Sequence, residues 1–330
     1  MSKIIIGIHG LGNKPPRKLL KKWWKMAIKE GLYHCERQGI CFKFELVYWA
    51  DVLHPEPLNP NEKDKNNPLY VEYPYVPTEG IVRKQPNELR KKVLDFIEDK
   101  MDKIFLNEDM SINFASITDA IIRHYFKDLD MYYSAKCEGK ENENRLAKDL
   151  IREKLYSVLN KYKNKKILLI SHSMGSIVAF EVLSQLPQDV NVDTFVTIGS
   201  PLGQPVVMGK IFAELNHEFV KFKEIKTPVA ITKNWFNLSD LEDKITINYN
   251  LADDYDENQQ GIGPIDKIVF NSYVHKGKRN PHKSYGYLRT PELAEIIYDF
   301  LARDRNKVLF SIINQLNSLV TKIVKKWKVR

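Results

Sequence analysis

The stretch KKILLISHSMGSIVAFEVL, residues 165–183, constrains this chain more than any other. Ile167, Leu168, Leu169 and Ile170 form an unbroken apolar run, which is how a strand buried on both faces of a parallel sheet reads. A knot of small residues, SHSMGS, follows at once. Apolar residues then return with helical spacing at Ile177, Val178, Phe180, Val182 and Leu183. A strand that breaks into a helix over one tight bend needs small residues two positions before and two positions after the bend, because these nearly touch. Here they are Ser171 and Gly175, with Ser173 between them. Two readings are open at this stage: Ser173 is a nucleophile held on a sharp turn, or it simply caps the helix that follows.

The remaining chain repeats the alternation. Residues 3–8 (KIIIGI) read as a second buried strand ending in HGLGN, and residues 17–30 place Leu19, Leu20, Trp23, Trp24, Ala27 and Ile28 on one side of a helix. Strands are predicted over 41–49, 166–171, 193–200, 228–238 and 265–273, with helices over 142–162 and 174–186. A last helix begins at Pro291 with Thr290 as its N-cap. This pattern defines an α/β fold with a mainly parallel sheet of about six strands and helices on both faces. The core is assigned to 1–50 and 141–303. Between them, 51–140 reads as an insertion. It opens with a proline-rich loop to about residue 78 and continues with helical patterns at 87–105 and 115–133, which read either as a lid or cap over the serine or as a helical subdomain packed away from it. Residues 304–330 form a basic amphipathic helix.

The formal charge is +9, and residues 303–330 hold eight basic residues against one acid. No nucleic-acid-binding module accompanies that excess, which argues against a nucleic-acid partner. The helix over 307–328 reads first as one packed on the domain with its lysines at the C-terminal end; the alternatives are a dimer contact or a weak membrane-surface contact through the basic amphipathic segments at 14–29 and 307–328. Three scattered cysteines (Cys35, Cys41, Cys137) form neither a disulfide framework nor a zinc cluster, and the apolar run at the N-terminus is too short for a signal peptide, so a cytoplasmic location is expected. The acidic segment 251–260 lacks the glycine and terminal glutamate of a helix-loop-helix calcium site and reads as a solvated loop. No metal and no cofactor is called for.

A serine nucleophile needs a histidine base, a carboxylate that orients it, and backbone N–H groups aimed at the oxyanion. In NWFNLSDLEDKIT, past the strand at 228–238, Asp243 is the favoured acid, Asp240 the alternate and Glu242 a distant third; the others would be solvated loop charges. His282, in the loop before the last helix, is the favoured base, with His275 the alternate. The N–H groups of Leu11 and Met174 are the expected oxyanion donors, with Gly10 and Gly12 allowing the first loop to approach closely. His9 reads as a residue that orders this loop, and His172 is expected to point away from its neighbour Ser173.

HGLGN, SHSMGS, TIGSPLG, WFNLSDLEDKI and NPHKSYGYL occur in this order, and the sequence Ser173, Asp243, His282 is the chain order of the α/β-hydrolases. Over most of 3–303 the chain resembles the lipase and esterase members of that superfamily, without the first two strands of the larger ones. The resemblance implies a Ser-His-Asp hydrolase acting through an acyl-enzyme and does not identify the substrate; a carboxylic ester is the first choice of bond, and the aromatic content with the basic amphipathic helices points to lipid-like substrates. An acyltransferase using the same triad, or a binding module that keeps the fold without activity, stays open.

Overall fold

The computed structural model describes residues 1–37, 40–80, 88, 90–92, 94, 129–136, 145–215, 225–246 and 248–303. Its centre is a six-stranded sheet in which every pairing is parallel: β1 (Lys3–Ile8), β2 (Phe44–Val47), β3 (Lys166–His172), β4 (Val192–Ile198), β5 (Ile231–Ser239) and β6 (Pro264–Ile268), in the order β2-β1-β3-β4-β5-β6. The apolar runs that mark β1, β3 and β4 occupy the middle of the sheet, where both faces are covered. Each predicted strand is present, several of them shorter than their apolar letters.

Helices α1 (Arg17–His34), α6 (Ser284–Leu288) and α7 (Pro291–Ala302) cover one face. Helices α3 (Ala147–Lys161), α4 (Met174–Ser184) and α5 (Pro205–Leu215) cover the other, and a single turn, α2 (Ala50–Leu53), follows β2. The α4 helix is buried along nearly its whole length, so its apolar letters run all round it rather than along one stripe. Truncating a core residue such as Leu169 to alanine would cost about 2–5 kcal/mol. Thr290 caps α7 as its sequence suggests, its hydroxyl accepting from Leu293 N at 3.4 Å with Pro291 in the first turn.

The chain runs from β1 outward to β2, then returns across to β3 on the other side. The ends of β1 and β3 therefore frame the crevice where ligands collect in open parallel sheets. Of the insertion, residues 70–78 run as a strap along this crevice, tied to the core by Tyr75 Oη donating to Glu30 Oε2 (3.0 Å), Arg289 Nη1 to Val76 O (2.9 Å) and Tyr273 Oη to Pro74 O (2.6 Å). At the insertion's far end, Tyr132 and Tyr133 each donate a 2.6 Å hydrogen bond to buried Glu181 on α4. Most of the helical patterns at 87–105 and 115–133, and the C-terminal segment 304–330, lie outside the described residues. Among the described residues no helix is long and apolar enough to cross a membrane.

One expectation is corrected here. Residues 251–260 are not simply a solvated loop: Tyr255 is buried with its hydroxyl on Leu202 O at 2.8 Å, and the Asn258 amide donates to Pro228 O and Ile231 O. Alternating acids with anchoring residues hides the buried ones from a reading by composition.

Candidate active site

β3 ends at His172 and α4 begins at Met174, so Ser173 alone makes the turn. Its backbone sits at φ 53°, ψ −130°, a conformation L-residues avoid and which costs about 1–3 kcal/mol. The surroundings enforce it. A Cβ at Gly175 would lie 2.7 Å from His9 O, and one at Gly10 would lie 2.6 Å from the Ser173 Cβ, so the β1 loop presses directly on the turn. Ser171, which stands where a glycine is usual, is buried and turns its hydroxyl toward Val196 O and Ser176 Oγ, each at 3.3 Å.

The Ser173 Oγ lies 3.0 Å from His282 Nε2, and His282 Nδ1 lies 2.9 and 3.0 Å from the two carboxylate oxygens of Asp243. A carboxylate accepts, so Nδ1 carries a proton and Nε2 of the neutral ring is left to accept from the serine. Asp243 is fixed from two further directions: Ile245 N donates to Oδ1 at 3.0 Å and Tyr287 Oη to Oδ2 at 2.8 Å. The sequence-chosen residues Ser173, His282 and Asp243 are thus brought together.

The alternates fall elsewhere. Asp240 accepts from Asn271 N at 2.6 Å and pairs with Arg279, while Glu242 pairs with Arg279 at 2.6 Å. Asp240 is buried, which raises its pKa, so the expectation of a solvated charge fails for it. His275 sits in a short hairpin with its ring against Tyr73, and no hydrogen bond joins it to Ser173 or Asp243 among the described residues.

His9 orders the first loop, as expected: Nδ1 meets Gly10 O at 2.8 Å, Nε2 accepts from Trp49 N at 3.1 Å, and the ring stacks on Trp49. Burial holds its pKa well below the usual histidine range. Lys14 Nζ bridges Leu11 O and Gly12 O, pinning the loop that carries the Leu11 amide. Met174 opens α4, so its own N–H has no intrahelical acceptor.

His172 corrects another expectation. Its side chain does not point away from the site: Nε2 lies 2.8 Å from His282 O, and the two rings lie 4.8 Å apart. The carbonyl can only accept, so Nε2 carries the proton, and burial, followed by the neighbouring His282, keeps the ring neutral.

Three further supports lay beyond sequence reasoning. Tyr287 reaches Asp243 from α6. Asn271 Nδ2 donates to Pro281 O (2.6 Å) and Lys283 O (2.9 Å), bracketing His282. Gly199, at φ 54°, leaves room for Asp243 and Tyr287, whose atoms would stand 3.1 and 2.9 Å from a Cβ there. Gly199 within TIGSPLG and Tyr287 within NPHKSYGYL lie in segments that carried a signal; Asn271 had none.

A cleft of about 260 Å³ opens over Ser173 and His282, with walls from Leu11, Leu20, Trp24, Tyr73, Ile245 and Tyr285 and with Lys14 and Lys283 at its polar side. Among the described residues no three His, Cys, Asp or Glu side chains gather as a metal site would require.

A six-stranded parallel sheet, helices on both faces and a strained serine turn after its third strand are the features of the α/β-hydrolase fold, and the chain belongs to that superfamily. Within it, residues 99–253, just under half of the chain, match the model of the PGAP1-like alpha/beta domain. That match includes Ser173 and Asp243 and stops short of His282. A comparison with curated proteins finds no match.

Proposed function

We propose that this protein is a serine hydrolase that cleaves a carboxylic ester through an acyl-enzyme. The observation that carries this reading is the continuous chain from Ser173 Oγ to His282 Nε2 (3.0 Å) and from His282 Nδ1 to Asp243 (2.9 Å). The lipase-like family match supports the same class of chemistry.

In this reading Ser173 Oγ bonds to the acyl carbon while His282 Nε2 takes its proton. Asp243 holds the imidazole in the correct tautomer and stabilises the cation that forms. The Leu11 and Met174 amides receive the negative charge on the former carbonyl oxygen. When the tetrahedral intermediate collapses, the C–O bond to the alcohol breaks and His282 returns the proton to the leaving oxygen. Water then attacks the acyl-serine, His282 takes its proton, and the acid leaves as Ser173 regains its hydrogen. The apolar walls of the cleft suit a hydrocarbon acyl chain, which favours lipid-like esters.

Labelling with a fluorophosphonate probe tests the proposal. Wild type should be labelled, and Ser173→Ala and His282→Ala should not, with all three proteins folded by circular dichroism. Folded wild type that stays unlabelled, with and without detergent, would instead favour a binding module built on the same fold.

A further inference from the structure

Lys283 directly follows the proposed base, and its side chain does something the triad does not require. It lines the cleft above Ser173 and is half-buried. Among the described residues no hydrogen bond or ion pair engages its ammonium. It lies instead over the rings of Tyr73 from the strap and Tyr285 from α6, 5.5 and 5.3 Å from their centroids. Among the described residues the cleft lining includes a second ammonium, Lys14, and no carboxylate. Asp243, close by in the chain of the triad, is occupied by His282, Tyr287 and Ile245.

A cation enclosed by aromatic faces keeps part of its attraction through the ring quadrupoles, but it loses hydration that only an anion or water can replace. Burial lowers the Lys283 pKa to about 8, a drop that the exposed Glu72 on the strap opposes. Tyr75 and Tyr273 close the same wall, and their charged neighbours, Glu30 and Arg289, are already paired with each other.

We propose that Lys283 is a specificity residue that receives an anionic group of the substrate, a phosphate or carboxylate carried on the same molecule as the ester that Ser173 attacks. The two tyrosine rings hold the ammonium in place, and Lys14 on the loop after β1 adds to the positive field. This rests on the hydrolase reading above and names the kind of ester it would take.

The test compares two esters of the same size, 4-(butyryloxy)benzoate and 4-(butyryloxy)benzamide, which differ in one negative charge. In wild type at pH 7 the ratio of kcat/KM, benzoate over benzamide, should be roughly tenfold, the scale of one charge-assisted contact. That ratio should collapse toward one in Lys283→Met and be largely restored in Lys283→Arg. It should also decline as pH rises through about 8 in wild type, where the ammonium loses its proton, and stay high in the arginine variant. Inorganic phosphate should inhibit wild type more strongly than Lys283→Met if a phosphate alone suffices. Inhibition only by phosphate-bearing lipids would place the anion on a headgroup. Turnover of both esters with a ratio near one, or an unchanged ratio in Lys283→Met, overturns the anion site while leaving the hydrolase intact. Turnover of neither ester overturns the hydrolase reading, and the anion site falls with it.

Discussion

The Tyr287 hydroxyl donates to Asp243 Oδ2 at 2.8 Å, and the same oxygen faces His282 Nδ1 at 2.9 Å. Tyr287 also accepts from Asp240 N at 3.0 Å, so one phenol ties the loop of Asp240 and Asp243 to the helix that follows His282. Burial and the two neighbouring carboxylates raise its pKa well above the usual phenol range, which keeps it a donor. Tyr287→Phe removes a donor from a buried carboxylate and an acceptor from a buried amide. The expected result is a roughly five- to tenfold fall in kcat with little change in KM, and a stability loss of about 1–3 kcal/mol. Steady-state kinetics and urea unfolding measure the two effects separately.

Asp243 and Asp240 should separate by the same pair of measurements. Asp243→Asn leaves an amide where His282 needs an acceptor, and kcat should fall by about 10³–10⁴ with the fold preserved. Asp240→Asn weakens the hold on Arg279 and on Asn271, whose amide brackets His282. It should lower stability, with a much smaller loss of activity in the protein that remains folded. An Asp240 variant as inactive as the Asp243 variant, yet fully stable, would exchange their roles.

That pair also marks how far the letters could be read. The parallel sheet, the serine turn and the order of Ser173, Asp243 and His282 follow from local patterns, because apolar runs and small residues act within a few positions. Which acid faces the histidine does not. It depends on Tyr287, 44 residues away, and on the turn that brings Ile245 N to Asp243. His172 departs from the expectation for a related reason. Adjacent side chains on a strand point to opposite faces, but His172 is the last residue before the bend at Ser173, and the His282 loop passes over the strand ends onto it. Asn271 and Gly199 carry no periodic signal because their partners come from distant loops.

Backbone strain at Ser173 gives a prediction that needs no substrate. At φ 53°, ψ −130° any Cβ is disfavoured, and glycine alone is relieved of the penalty. Ser173→Gly should therefore be more stable than Ser173→Ala by about 1 kcal/mol, even after glycine's extra freedom in the unfolded chain is counted. Thermal melts of the two variants side by side decide this. Equal midpoints would mean that the turn is relaxed in solution.

Lys283 should show the opposite sign to most buried-residue substitutions. Its folded pKa, about 8, lies below its ordinary value of 10.5, so folding disfavours the charged form. Below pH 8 the ammonium is charged in both states and the full penalty is present. Between pH 8 and 10.5 the folded protein holds fewer protons than the unfolded chain, and stability rises with pH as the penalty fades. Lys283→Met, which fills the same space without the charge, is expected to melt higher than wild type at pH 7 by about 1–2 °C, the shift that about 1 kcal/mol produces in a chain of this length. The difference should narrow steadily toward pH 10. A variant less stable than wild type at pH 7 would mean that packing against Tyr73 and Tyr285 outweighs desolvation, and the lysine would then be explained by structure instead of by binding.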